Sequence, residues 1–327
     1  MGSQLLVLAG DVMTGRGVDQ ILRNPGSPRL HEEYVRDARS YVELAERVNG
    51  PVPREADPTW PWGDALETMA AADSSVRVMN LETSVTRSDD LAPDKAVRYR
   101  MNPANVECLQ VAGVDVWTLA NNHVLDHGTA GLLETLETLA GAGLRSAGAG
   151  RDLTQAWAPA VVEHGPGRVL VLSVGHASSG VPEDWAAGGA QPGVALLPDL
   201  SEATAARVTE AFDRVARAGD LRVVSVHWGS NWGFRVPEAH RRFAHLLVDA
   251  GVHVVHGHSS HHPRPVEVYR GRLILYGCGD LVDDYEGITG YEGFRDDLRL
   301  LHLARIDHDS GALLGLEMVP FQARRLR

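Results

Sequence analysis

The chain has 327 residues, a formal net charge of -12, 44% hydrophobic and 23% charged residues, the balance of a globular protein with a substantial core. That acidity excludes nucleic acid as the partner, because phosphate binding relies on clustered Lys and Arg. No apolar run approaches the ~20 residues of a membrane span, the start Gln4-Leu5-Leu6-Val7-Leu8-Ala9 is too short for a signal segment, and Cys108 and Cys278 lack CxxC spacing. A cytoplasmic protein without a membrane partner is expected.

Leu5 to Ala9 reads as a strand, followed by the turn Thr14-Gly15-Arg16-Gly17. Residues 32 to 48 place Tyr34, Val35, Ala38, Tyr41, Val42, Leu44, Ala45 and Val48 at spacings of three and four, which predicts an amphipathic helix. Pro51, Pro53, Pro58 and Pro61 make an irregular connection containing Trp60 and Trp62, so residues 24–62 read as an insertion, either a lid or a packed surface segment. Strands and helices then alternate. Helices are expected at Gly63 to Ala72, Ala104 to Val111, Thr129 to Ala142, 201 to 218 and Pro237 to Ala250. Strands are expected at Val76 to Asn80, Val114 to Ala120, Val169 to Val174, Leu221 to Val226 and Val252 to Val255. Beyond Pro265 the pattern becomes hairpins: Val266 to Tyr269, Leu273 to Tyr276, Leu298 to Ala304 and Leu313 to Met318. One α/β domain over residues 1–327 accounts for the whole pattern.

Five polar clusters each follow an apolar run: Gly10-Asp11, Asn80-Leu81-Glu82, Asn121-Asn122-His123, His227-Trp228-Gly229 and Gly257-His258-Ser259-Ser260-His261. In α/β folds the side chains beyond the carboxyl ends of strands converge on one crevice. Carboxylate, amide and imidazole gathered there suit a cation without thiolate. Unpaired polar groups in one crevice are costly unless something binds them. Histidine beside carboxylate also suits proton transfer near neutral pH. Cys278, in Tyr276-Gly277-Cys278-Gly279-Asp280, shows no feature that activates its thiol. GxSxG and GxxxxGK[ST] are absent, and Gly148-Ala149-Gly150 lacks dinucleotide-loop spacing, so no organic cofactor is expected.

Gly10-Asp11-Val12-Met13-Thr14-Gly15-Arg16, Asn80-Leu81-Glu82-Thr83, Ala120-Asn121-Asn122-His123-Val124-Leu125-Asp126, His227-Trp228-Gly229, Gly257-His258-Ser259-Ser260-His261, Tyr269-Arg270-Gly271 and Tyr276-Gly277-Cys278-Gly279-Asp280 together resemble the CapA family. That family is named for poly-γ-glutamate capsule synthesis and placed in the calcineurin-like metallophosphatase superfamily. The resemblance covers nearly the whole chain. It implies an α/β fold, a layered β-sandwich flanked by helices, with an inserted helical segment near the N-terminus. The chain also resembles a lasso-peptide epimerase of this fold, which inverts a C-terminal tryptophan.

The superfamily pattern implies Asp11, Glu82, Asn122, His227, His258 and His261 as metal ligands, with His123 as acid or base. Two departures stand out: Met13 occupies the third position of an Asp-x-His motif, and Glu82 stands where Asp is usual. Thioether is a poor partner for hard cations, so one ligand set is expected to be depleted and two-metal hydrolysis weakened. A metal-dependent peptide epimerase is therefore the leading expectation. His123 and His258 would act from opposite faces, with Asp11 and Asp126 in support. The alternatives are a hydrolase of a phosphoester or of a poly-γ-glutamate amide, and an accessory protein of polymer synthesis. The expected cofactor is a divalent ion, calcium or manganese rather than zinc. For a peptide substrate, Arg16, Arg98, Arg100 and Arg295 are candidate carboxylate binders and Trp228 a stacking platform for an indole. Asp280, Asp283 and Asp284 are candidate partners for the histidines.

Overall fold

Alternating burial along the first strand sets the architecture. The computed structural model describes residues 2–165 and 167–327. In it, β1 (Ser3–Val12) turns Leu6 and Leu8 to one side and Val7 and Ala9 to the other, all fully buried. A strand buried on both faces needs a covering layer on each. The remaining strands of the two large sheets are β2 (Ser75–Leu81), β3 (Val116–Thr118), β4 (Ser146–Ala147), β5 (Ala160–His164), β6 (Gly167–His176), β7 (Leu196–Leu197), β8 (Leu221–His227), β9 (Val254–His258), β10 (Val266–Tyr269), β11 (Arg272–Leu275), β12 (Asp280–Val282), β13 (Leu298–Asp307) and β14 (Leu313–Gln322).

The first sheet runs β14-β13-β1-β2-β3-β4 with β12 also beside β1, and the second runs β7-β6-β8-β9-β11-β10 with β5 beside β6. Leu6, Leu8, Val76 and Val78 of the first sheet meet Val171, Val223 and Val254 of the second in a shared core. The outer face of the first sheet is covered by the helices Ala65–Ala71 and Gly128–Gly141, through Met69, Leu132 and Leu139. Helices Glu202–Asp213 and Glu238–Asp249 cover the second through Val208, Phe212, Phe243 and Leu247. The result is the layered sandwich flanked by helices that the sequence implies.

Strands β1 to β4 are mutually parallel, and so are β6, β8, β9 and β11. Each run therefore delivers its carboxyl ends to a single edge.

Three elements differ from expectation. The helix expected from residue 32 begins only at Arg39 and runs to Asn49. Residues 29–38 fold back on themselves instead, with Leu30 N donating to Arg36 O and Ala38 N to Pro28 O, while Glu32 is drawn inward to Arg16. Ala104 to Val111 divides into a tight turn, Pro103–Asn105, and a single helical turn, Glu107–Gln110. Strand β9 continues past Val255, because Gly257 and His258 keep pairing with Val226 and His227 of β8. Within residues 24–62, Val42, Ala45, Val52 and Ala56 form a small core with Ile21 and Leu326. Among the described residues no helix is long and apolar enough to cross a membrane.

Candidate metal centre

Two strand pairings, one in each sheet, build the centre. In the first sheet β1 and β12 run parallel with Asp11 opposite Asp280. The approach requires glycine at position 10, where a Cβ would lie 1.9 Å from the carbonyl oxygen of Gly279. In the second sheet His227 stands opposite His258. The two pairs meet: His258 Nδ1 is 3.5 Å from Asp11 Oδ1, and Ser259 N donates to Asp11 Oδ2 at 3.1 Å. Ser259 holds a φ of 99°, a strained conformation for a residue with a side chain, which aims its N–H at the carboxylate.

Two donor groups result, Asp11–His227–His258 and Asp11–His261–Asp280, each with ligand atoms within 4.8 Å of one another and all five residues buried. Asp11 belongs to both. Glu82 lies alongside, with Oε2 3.8 Å from His227 Nδ1 and Oε1 3.8 Å from His123 Nε2. Asn80 Nδ2 donates to Asp11 Oδ1 at 2.8 Å and to Glu82 Oε2 at 3.0 Å, bracing the two carboxylates.

Hydrogen-bond partners fix which imidazole nitrogens are bare. His256 Nε2 lies 2.8 Å from the Ala9 carbonyl, which only accepts, so Nε2 carries the proton and Nδ1 accepts from the Ser225 hydroxyl at 3.1 Å. Ser225 Oγ then accepts from His258 Nε2 at 2.9 Å, leaving His258 Nδ1 unprotonated. His227 Nε2 likewise donates to Asn122 Oδ1 at 3.1 Å. The two bare Nδ1 atoms face each other at 2.9 Å, beside Asp11 and Glu82. Lone pairs and carboxylates packed this way are unfavourable unless a cation joins them. Asp280 Oδ2 is buried without a hydrogen-bond partner, another acceptor turned to the same use. The residues fit divalent ions in mixed oxygen and nitrogen coordination.

The electrostatics agree. Burial, followed by repulsion from Asp280, raises Asp11 to about 7. Burial raises Asp280 to about 7, and burial with repulsion from Asp11 pushes Glu82 well above the ordinary carboxylate range. Burial holds His227 and His258 well below the usual imidazole value. Such a site is a set of neutral imidazoles and mutually repelling carboxyls.

His123 stands at the edge of this cluster. Asn121 Oδ1 accepts from the backbone N–H groups of His123 and Val124, at 3.0 Å each, and so shapes the turn after β3. His123 Nδ1 lies 2.6 Å from Asp126 Oδ2. Asp126 also accepts from Tyr99 N at 2.7 Å and faces Lys95 Nζ at 3.3 Å. Burial opposes the Asp126 charge, yet His123 and Lys95 hold its carboxyl below the usual value. Burial also lowers His123 to about 4.

Several sequence expectations change. His258, expected as an acid or base, is fully enclosed between His227, Ser225 and Asp11, and has no face left for a substrate. Met13 does not deplete the second donor group, because Asp280 and His261 complete it through β12. Met13 itself is buried, its N–H donating to Val282 O. Trp228 is 1% exposed, stacked between His240 and Tyr276 in the core of the second sheet, so it cannot serve as an open stacking platform. Arg295 lies exposed and clamped by Asp297. Arg16 is buried against Asp284, Glu32 and Tyr41, while Arg100 pairs with Asp89. Asp283 is committed to Arg299. Asn122 supplies its oxygen to His227 Nε2 in this arrangement, and His261 Nδ1 sits 3.0 Å from Asp280 Oδ1. Sequence reasoning missed Ser225 and Lys95, placed Asn80 in a strand-end cluster without giving it a role, and treated Asp280 only as a partner for histidine. Asn80 alone carried a signal, two residues before Glu82 at the same strand end.

Fold and centre together define the class, a calcineurin-like metallophosphatase fold whose sheet edges present a buried donor cluster. A solved structure described as a novel phosphatase from Mycoplasma pneumoniae superposes with a TM-score of 0.55 at 13% identity, covering 98% of this chain and 94% of that one, a likeness of fold. Residues 5–285 match the model of the bacterial capsule synthesis protein PGA_cap family, and the chain belongs to that family. It is 52% identical over 324 residues to a probable polyglutamine synthesis accessory protein of Mycobacterium tuberculosis, covering 98% of this chain and 85% of that protein. It is 28% identical over 277 residues to the PGA biosynthesis protein CapA of Bacillus subtilis, covering 84% of this chain and 62% of that protein.

Proposed function

We propose that the protein is a metal-dependent hydrolase of an acidic polyamide, with poly-γ-glutamate as the candidate substrate. The observation that carries this reading is the sharing of Asp11 between two buried donor groups, beside the His123–Asp126 pair. Asp11, His227 and His258 would hold one divalent ion and Asp11, His261 and Asp280 a second, with Glu82 between His227 of the first group and His123. Manganese suits such mixed imidazole and carboxylate sets better than calcium, which prefers six to eight oxygens. When bound, such ions polarise a scissile carbonyl and acidify water.

The chain's own residues do the proton work. Asp126 accepts a hydrogen bond from the Nδ1–H of His123, so Nε2 presents its lone pair toward Glu82. From there it can accept a proton and return it to the leaving amine, a role worth about 10²–10⁴ in rate. Asn80 and Ser259 keep Asp11 in place during turnover.

Peptide epimerisation is less well supported. It needs a second acid or base on the opposite face, and His258 is enclosed. The relatives described above are named for polyglutamine synthesis and PGA biosynthesis, and the matching family for capsule synthesis.

The test is incubation of manganese-loaded protein with poly-γ-glutamate, reading chain length and newly exposed amines, alongside a nitrophenyl phosphate and a peptide in heavy water. Metal-dependent shortening that disappears in Asp11→Asn and His123→Asn is expected. Deuterium uptake without cleavage, or no turnover by fully loaded protein, would refute the hydrolase reading.

A further inference from the structure

A cavity has His127, the residue that follows Asp126, in its wall. Its volume is about 340 Å³, and its lining includes four arginines, Arg16, Arg29, Arg98 and Arg100, with His31 and His127 beside them. Only two carboxylates, Glu32 and Asp89, line it as well. Both are already engaged: Glu32 accepts from Arg16 at 3.1 Å and Asp89 from Arg100 at 2.8 Å. Among the described residues Arg29 and Arg98 have no carboxylate partner at ion-pair distance. In a chain of net charge -12, this is a local excess of positive charge.

Two further observations point to a ligand. His127 is 5% exposed, and its Nδ1 is buried without a hydrogen-bond partner; the Nε of Arg98 is buried and unpartnered too. Buried polar atoms without partners are costly, and in a cation-lined cavity an anion satisfies them. Burial first, then Arg100 and Arg98 with only Asp126 opposing, lowers His127 to about 4; His31 is lowered in turn by burial and by Arg29, Arg98, Arg36 and Arg100.

The cavity also shares a wall with the metal centre. Arg16 stacks over the rings of Tyr41 and Tyr99, at 3.8 and 4.5 Å, and Tyr99 meets His123 edge-on at 4.6 Å. His127 directly follows Asp126, the partner of His123. A ligand group in the cavity is thus one aromatic ring away from the dyad.

We propose that this cavity is an anion subsite, which seats a carboxylate of the substrate chain next to the amide held at the metal centre, with Arg29 and Arg98 as its principal contacts. The choice of carboxylate rests on the hydrolase reading above. Guanidinium groups bind carboxylate through paired N–H donors, and an acidic polymer offers one such group per residue.

The test measures binding rather than turnover. Fluorescent oligo-γ-glutamate, the same oligomer with its carboxylates amidated, and inorganic polyphosphate are titrated by anisotropy against the manganese-loaded protein. The wild type should bind the acidic oligomer at least about tenfold more tightly than the amidated one, the size of one charge-assisted contact. Arg29→Ala/Arg98→Ala should erase that preference with manganese content unchanged, and Arg29→Lys/Arg98→Lys should restore part of it. Equal binding by the alanine variant, a wild-type preference for polyphosphate, or no binding of any probe would overturn the subsite. Arginine-dependent binding without cleavage would remove the hydrolase reading alone. Cleavage with a KM indifferent to both arginines would remove the subsite alone.

Discussion

Replacing Asp11 by Asn should reverse sign with the metal. Asp11 is fully buried, opposite Asp280 and braced to Glu82 through Asn80, so without metal its charge is penalised and its carboxyl rises to about 7. Relieving an uncompensated buried charge is worth about 3 kcal/mol. Asn keeps one acceptor but loses one of the two hydrogen bonds from Asn80 and Ser259, a cost of about 1 kcal/mol. The metal-free variant should therefore be more stable than metal-free wild type, by about 2 kcal/mol or about 4 °C in Tm. With manganese at about 1,000 times its Kd, the wild type should gain about 4 kcal/mol and overtake a variant that gains little. Scanning calorimetry in chelator and in manganese reads both orders. A variant less stable than wild type in chelator, or a wild type whose Tm ignores manganese, would refute the reasoning.

His123→Asn should lower kcat by about 10²–10⁴ while leaving bound manganese unchanged, because His123 lies outside both donor groups; elemental analysis beside kinetics separates the two effects. Asp280→Ala should remove one ion and leave the group Asp11–His227–His258 intact, read as one manganese per chain where the wild type holds two. Acid sensitivity should depend on His302, which burial lowers from 6.5 to about 4. Between those values the unfolded chain binds the extra proton, so this contribution is complete above about pH 6.5 and is lost as pH falls toward 4. His302→Leu should remove up to about 3 kcal/mol of that acid-side loss, measured by urea unfolding at pH 7 and 4.5; an unchanged slope would refute it.

The strand ends were legible because parallel strands discharge at one edge, and an apolar run followed by Asp, Asn or His marks each exit. That rule marked Asp11, Glu82, His227 and His258, and the family resemblance gave them their roles as ligands. Asp280 could not, since it opens a short strand whose place beside β1 depends on a pairing across about 270 residues, permitted by the bare Cα of Gly10. The same pairing reverses the weight of Met13: a missing ligand in one local motif is made good by a residue from another part of the chain. Burial was equally invisible. His258 and Trp228 each sit in a motif that reads as functional, yet the depth of β8 and β9 in the sandwich turns one inward to Ser225 and the other into the core.

The length of Glu82 follows from where its strand stops. Leu81 is the last residue of β2, and Glu82 N still donates to Val12 O, so its backbone is held against β1. From that fixed start one carboxylate oxygen lies 3.8 Å from His123 Nε2 and the other 3.8 Å from His227 Nδ1. An aspartate would be shorter by one carbon–carbon bond, about 1.5 Å, and would fall back toward Asn80 instead of spanning the dyad and the donor cluster. Among the described residues, the added methylene makes Glu82 the one carboxylate 3.8 Å from both His123 and His227, which couples the charge at the metal donors to the protonation of His123.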